Sequence, residues 1–172
     1  VIHTACYPSQ FGCVSDVTKY EYNPEKAKKL LAEAGYPDGF EVDFYGYRDR
    51  PYGEAVAGYL REVGVKANIK WLQYSALRDK TMADEVAFVM NTWGSYGVND
   101  ISNITGQHFR FEYNDLARDP QVRDWLEKGD TTVDRDQRLE VYSKAIKRIA
   151  DQAYWVPLFT WVANYAFNEN LK

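Results

Sequence analysis

Tyr22-Asn23-Pro24-Glu25-Lys26-Ala27-Lys28-Lys29-Leu30-Leu31-Ala32-Glu33-Ala34-Gly35-Tyr36-Pro37-Asp38-Gly39-Phe40 reads as one helix with its own start and stop signals, delivered into a strand. Asn23 suits the N-cap, because its side-chain carbonyl accepts from the free N–H groups of the first turn. Pro24 fits the first helical position, where a missing N–H costs nothing. Ala27, Leu30, Leu31 and Ala34 fall on one face, and Gly35 takes the left-handed conformation that ends a helix. Pro37-Asp38-Gly39 then turns the chain into Phe40.

Working outward, Glu41–Tyr47 alternates, with Val42, Phe44 and Gly46 sharing a face, and reads as a strand. Residues 51–64 read as a helix with Ala55, Val56, Tyr59, Leu60 and Val63 inward, and residues 65–72 as a second strand. Strand, helix, strand with short links is a βαβ unit. Ser75 is placed as the cap of a short helix over 76–83. Val86–Thr92 is near-continuously apolar, as a central strand covered on both faces is. Residues 94–114 read as a long polar loop. Helices follow over about 120–128 and 135–152, the latter with Leu139, Tyr142, Ile146 and Ile149 as its buried stripe. Trp155–Thr160 and Trp161–Phe167 read as extended segments. The pattern is an α/β lobe with a mainly parallel sheet flanked by helices.

The opening run resembles a signature of the large solute-binding proteins that serve ABC importers, in the peptide- and nickel-binding family of the family 5 type. There a Y-[DN]-P-E-K-A-K-x-L-L-A-E-A-G-Y-P-x-G-F run opens the C-terminal α/β part. The resemblance continues through Val86–Thr92 with Trp93-Gly94, and ends in Ala153-Tyr154-Trp155-Val156-Pro157-Leu158-Phe159 and Tyr165-Ala166-Phe167. It covers residues 20–172. It implies one lobe of a bilobal Venus-flytrap fold of the periplasmic-binding-protein-like II kind, with residues 22–172 as the C-terminal lobe and an N-terminal lobe belonging to the parent chain. The resemblance further implies capture of an extracytoplasmic solute, a peptide or other small polar ligand, in the periplasm or outside the cell. Delivery would be to an ABC transporter permease in the membrane, with no cofactor and no covalent chemistry.

Composition narrows the alternatives. The 172 residues suffice for one core, and the net charge of −4 comes with no basic cluster longer than Lys28-Lys29, so nothing points to a nucleic acid. No apolar run approaches the ~18 residues of a membrane span. Residues 1–21, with Pro8 and Gly12, read as an irregular connecting segment. Cys6 and Cys13 within it close a short-loop disulfide in an oxidising compartment, worth about 2–3 kcal/mol, and stay thiols in a reducing one. The export implied by the resemblance favours the disulfide. Two cysteines and a lone His3 make no zinc site, and His108 with Glu112 supplies too few ligands for a metal.

The loop after the apolar strand is the candidate site, because ligands of open α/β sheets bind beyond the carboxyl ends of the strands. Trp93, Ser95, Tyr96, Asn99 and Asp100 can stack, donate and accept there, and Asn103 and His108 lie in the same stretch. Arg48, in Arg48-Asp49-Arg50 after the first strand, is a candidate for the same cleft, although such clusters are commonly solvated. In peptide-binding members of the family this loop supplies an Asp that pairs with the ligand's α-amino group. Tyr96 stands in that register here, with Asp100 four residues on, which implies a ligand other than a free-amine peptide. Asp130 to Asp136 superficially suggests calcium but lacks the glycine and bidentate Glu of an EF-hand loop, and reads as the N-cap of the last helix. No nucleophile elbow, phosphate loop, zincin or dinucleotide motif is present. The rival readings are a small hydrolase using loop carboxylates or His108, and a ligand-sensing interaction module.

Overall fold

The first helix follows its caps. In the computed structural model, which describes residues 2–162 and 164–168, α1 spans Pro24–Glu33, with Asn23 Oδ1 accepting from Lys26 N at 2.9 Å. Gly35 at φ 90° ends it, Tyr36 N donating to Leu31 O and Gly35 N to Ala32 O, which is the Schellman pattern. Its apolar face, however, is not covered: no α1 residue is buried, and Leu30 is 53% exposed.

β1 (Phe40–Gly46), α2 (Arg50–Glu62) and β2 (Val65–Trp71) form the βαβ unit, with β1 and β2 parallel and Phe40 opposite Val65. Gly39 permits this junction. It sits at φ 76°, and a Cβ there would lie 1.9 Å from the Gly64 carbonyl oxygen, so no side chain fits where the two turns meet. The inward face of α2 differs from the one expected. Gly53 and Ala57 are buried, whereas Ala55 and Tyr59 face outward. The cause is Trp71: its ring lies over Gly53, so the helix meets the sheet along its smallest residues.

Residues 86–92 do not form the expected central strand. They touch β1 through a single parallel bridge, Tyr45 with Val89, held by Tyr45 N to Phe88 O (3.0 Å) and Met90 N to Tyr45 O (2.8 Å). With β1 as its sole ladder neighbour among the described residues, the segment is half-covered, and its apolar residues earn packing singly: Val86 is buried and Phe88 stacks on Phe44 at 4.4 Å. α3 spans Tyr74–Met82 and starts after Gln73, so Ser75 lies inside the helix rather than capping it.

The second half packs on helices. Residues 94–114 are not a continuous loop, since α4 (Ser102–His108) lies within them, its Thr105 and His108 buried beside the buried Ile101 and Phe109. The low helix propensity of Ser-Asn-Ile-Thr-Gly hides it in the sequence; tertiary burial of one face outweighs propensity. α5 (Pro120–Thr131) and α6 (Arg135–Asp151) complete the core. α6 buries Val141, Tyr142, Ala145, Ile146 and Ile149, while Leu139 is half-exposed, so the stripe runs slightly to one side of the expected one. Asp134 caps α6 by accepting from Gln137 N, as expected for the acidic run before it. The Cys6–Cys13 disulfide is formed, and the irregular segment that holds it sends Ala5 and Cys6 into this helical core. No strand is formed by the described residues between 155 and 168; Ala163 lies outside them. Phe159 and Trp161 rest instead on Tyr52 of α2, with centroids 5.0 and 5.9 Å away.

Two buried polar groups anchor this core. Asp119 caps α5 through Gln121 N and Val122 N and also accepts from Arg148 Nε (2.6 Å) and Tyr154 OH (2.7 Å). Burial pushes its carboxyl up, but the Tyr154, Arg148 and backbone hydrogen bonds outweigh that and hold it below the usual carboxylate range. His108 lies between two indoles, its centroid 5.2 Å from Trp93 and 4.7 Å from Trp155, with Nε2 buried and without a partner among the described residues. Burial pushes its imidazole down to about 4, against a hydrogen bond at the Asn114 backbone that acts the other way.

Both generate tests. Asp119→Ala removes a cap and two charge-assisted bonds, and should lower the unfolding free energy by about 2–4 kcal/mol in urea titration. Asp119→Asn, which keeps the cap, should lose less. For His108 the unfolded chain titrates near 6.5 and the folded one near 4, so acid protonates the unfolded state first. Its effect is absent above about pH 6.5, and stability is lost as pH falls from there towards 4. That amounts to about 2 kcal/mol between pH 7 and pH 5. His108→Phe keeps an aromatic in the box and should shed that acid-dependent loss; an unchanged loss would show that the imidazole is not its source.

Candidate functional site

Because the 86–92 segment runs parallel to β1, Trp93 leaves the domain at the carboxyl end of the sheet, the same end at which Arg48 follows β1. The indole Nε1 donates to Asn103 Oδ1 at 3.1 Å, and one edge of the ring packs on His108. Trp93 is thereby fixed from behind by α4. Its other neighbour is Tyr96, whose ring stands perpendicular to it at 6.0 Å.

Ser95-Tyr96-Gly97-Val98 is a tight turn closed by Val98 N to Ser95 O at 2.9 Å. Tyr96 has φ 50° and Gly97 φ 83°, the signs of a type I′ turn. A bulky residue at positive φ carries strain, and such outliers gather at functional sites. The turn displays the Tyr96 ring, which is 85% exposed.

Asp100 is engaged within the fold. Its Oδ2 pairs with Arg138 Nη1 at 2.8 Å and its Oδ1 accepts from Ser102 N at 2.9 Å, which sets the entry to α4. Both carboxylate oxygens therefore have partners, and the side chain is largely buried. Asn99 O accepts from Phe11 N at 3.2 Å, and the Asn99 side chain stays at the surface. Arg48 is not brought to this turn. Its carbonyl accepts from Trp71 Nε1, and its guanidinium lies over the Tyr47 ring at 4.9 Å. Tyr47 OH in turn bonds Thr92 Oγ1 at 3.2 Å, so Arg48 stands one ring away from the start of the loop.

The partner that sequence reasoning missed is the disulfide-closed loop. Gln10, itself buried, donates from Nε2 to Val98 O at 3.1 Å, while Phe11 N bonds Asn99 O and Ile101 N bonds Phe11 O. These bonds join residues almost ninety positions apart, for which the sequence carries no local signal. Between the two loops lies an open cavity of about 170 Å³, lined by Tyr7, Ser9 and Gln10 on one side and Ser95, Val98 and Asn99 on the other. A second cavity, beside Asp84 and Arg118, lies at the amino end of the 86–92 segment, away from this turn. Among the described residues no group of three or more His, Cys, Asp or Glu side chains is placed to hold a metal ion, and no helix is long and apolar enough to cross a membrane.

Residues 2–110 match the family model described as bacterial extracellular solute-binding proteins, family 5 Middle. The chain is 27% identical over 164 residues to heme-binding protein A of Haemophilus influenzae, covering 88% of this chain and 30% of that protein. To the dipeptide-binding protein of Escherichia coli it is 29% identical over 160 residues, covering 85% of this chain and 30% of that protein. The chain thus spans under a third of the length of these relatives. Among solved structures, the periplasmic binding protein DppA of Helicobacter pylori, in complex with the peptide STSA, superposes with a TM-score of 0.80 at 24% identity, over 92% of this chain and 32% of that one. HbpA2 of Haemophilus parasuis superposes at 0.76 with 25% identity, over 86% and 31%. The fold is therefore a portion of the bilobal periplasmic-binding-protein architecture, and the chain belongs to the bacterial extracellular solute-binding proteins of family 5.

Proposed function

We propose that this chain is the C-terminal lobe of an extracytoplasmic solute-binding subunit of an ABC importer, which closes with a second lobe on a small polar or peptide-like ligand and presents it to the membrane permease. The family membership carries the reading, and the geometry supports it at one place. A strained turn at the carboxyl end of the sheet displays Tyr96 beside an indole that α4 holds rigid. Trp93 and Tyr96 supply the stacking face and Ser95 and Asn99 the polar contacts, while Arg48 stands one ring behind the start of the loop. No residue here is assigned a catalytic step; binding and hinge closure suffice.

Relatives include a dipeptide-binding protein and a heme-binding protein. For this chain the ligand is argued from its own turn. An ammonium buried in a closing cleft needs an anion beside it. Asp100, the acid of the turn, already serves Arg138 and Ser102, and Tyr96 brings no charge. A ligand without a free α-amino group fits these residues better than a free dipeptide.

Isothermal titration on the full-length protein carrying this chain, against peptides, blocked peptides and oligosaccharides, tests the reading. One ligand should bind the full-length protein at least about a hundredfold tighter than it binds the isolated chain, because a single lobe offers half the contacts and must still order its loop. Equal tight binding by the isolated chain would overturn the two-lobe reading. Trp93→Ala should weaken binding by about tenfold, the loss of one stacking contact worth about 1.4 kcal/mol.

A further inference from the structure

The cavity between the disulfide loop and the 95–99 turn has walls from two distant segments of chain, and both walls are held in place. The disulfide closes residues 6–13 into a ring with Cα atoms of Cys6 and Cys13 5.9 Å apart. Inside the ring, Gln10 Oε1 accepts from Tyr7 N at 2.9 Å while its Nε2 reaches across to Val98 O. Gly12, at φ 89°, is pressed against Tyr142 and Ile101, where a Cβ would lie 2.6 Å from the Tyr142 ring, so the ring of chain is seated on the core. On the opposite side the turn is closed by its own backbone bond and tied to the same core through Asp100 and Arg138.

We infer that this cavity is a ligand subsite that takes an uncharged hydrogen-bonding group, a hydroxyl or a carboxamide, and that Tyr7 and Ser9 of the disulfide loop contact it. The inference rests on the solute-binding reading and adds residues and a ligand class to it. Three observations carry it.

The first is position. The cavity shares Ser95 and Asn99 with the turn that displays Tyr96, so a ligand stacked on Trp93 and Tyr96 reaches the cavity by its next group. The second is charge. Every side chain that lines the cavity is neutral, and the nearest carboxylate, Asp100, has both oxygens engaged. A charged group here would meet no counter-charge among the lining side chains, whereas a hydroxyl or amide finds matching donors and acceptors. The third is the supply of such bonds. Three carbonyls of the turn are already engaged, Val98 O by Gln10, Asn99 O by Phe11 N and Ser95 O by Val98 N. Recognition falls mainly to the Tyr7, Ser9 and Ser95 hydroxyls and the Asn99 carboxamide, which both donate and accept, beside the backbone of Gly97. A volume of about 170 Å³ corresponds to about six waters, the size of one sugar ring or one amide side chain.

The disulfide has a place in this arrangement. It holds one wall in the bound conformation before ligand arrives, which lowers the ordering cost of binding. The subsite is thus preorganised by a covalent bond outside the turn that carries the stacking rings.

The experiment uses the full-length protein carrying this chain, with three probes in calorimetry: maltotriose, an N-acetylated dipeptide amide, and the corresponding free dipeptide. Ser9→Trp fills the cavity from an exposed position, and Tyr7→Phe removes one hydroxyl while keeping the ring. The wild type is expected to bind one of the two neutral probes. Ser9→Trp should then weaken it at least about tenfold and Tyr7→Phe about three- to tenfold, with the thermal midpoint unchanged for both. Wild-type affinity retained by both variants overturns the subsite and leaves the solute-binding reading standing. Tightest binding of the free dipeptide overturns the neutral-group assignment. If the wild type binds none of the probes and co-purifies with no small molecule by mass spectrometry, the solute-binding reading falls, and the subsite with it.

Discussion

The Arg138 guanidinium joins four parts of the chain that are otherwise separate. It lies against the rings of Phe11 and Tyr142 at about 5 Å, donates to the Gly129 carbonyl and to Tyr142 OH, and pairs with Asp100. Phe11 belongs to the disulfide loop, Gly129 to the end of α5, Tyr142 to α6 and Asp100 to the turn beside the candidate site. Tyr142 extends the network by donating to Asp130 at 2.5 Å, and Asp130 also receives Arg110. A planar cation with a fixed fork of donors suits such a junction, because it can stack and bond in several directions at once. Burial, then the bond to Asp130, push the Tyr142 hydroxyl up, which keeps it a donor at every physiological pH.

This junction makes the candidate site a product of the helical half rather than of the sheet. The βαβ unit sets the direction in which Trp93 leaves the domain. The rotation and rigidity of the turn come from α4, α6 and the disulfide loop. Among the described residues the sheet is small: two ladder strands with one bridging segment, beside an α1 whose apolar face is open. In the proposed two-lobe protein, faces of this kind are where further structure is expected to pack. The 86–92 segment fits the same picture, since its apolar wording suits a central strand while a single neighbour gives it one bridge.

Local signals suffice wherever backbone chemistry alone decides. Asn23, Pro24 and Gly35 mark α1 because caps act on groups within four residues of each other, and Asp134 marks α6 for the same reason. The faces of helices are less legible. Tyr59 and Leu139 match a helical period but face outward, because the helix rotation is set by what it meets, Gly53 under Trp71 in α2 and Tyr142 beneath Gly129 in α6. α4 escaped notice because its residues are weak helix formers whose order comes from burial of Thr105 and His108. At the site, Trp93, Ser95, Tyr96 and Asn99 do gather at one turn, while the Asp100 carboxylate is spent on Arg138 and Ser102, and Arg48 lies behind Tyr47. Tyr7, Ser9 and Gln10 were legible only as an irregular stretch between two cysteines.

By itself, the sequence determined α1, the βαβ unit and the two long C-terminal helices, the family to which the wording of residues 22–40 belongs, and the stretch after Trp93 as the candidate site. These follow from interactions of short range, in which a cap, a turn or a periodic face acts within a few residues. Only the tertiary structure decided that the Asp100 carboxylate is bound, that the disulfide loop forms the second wall beside the turn, and that His108 is enclosed between Trp93 and Trp155. Those depend on pairs separated by tens of residues. Their geometry is fixed by the packing of α5 on α6 and by a guanidinium at its centre, which no local pattern encodes.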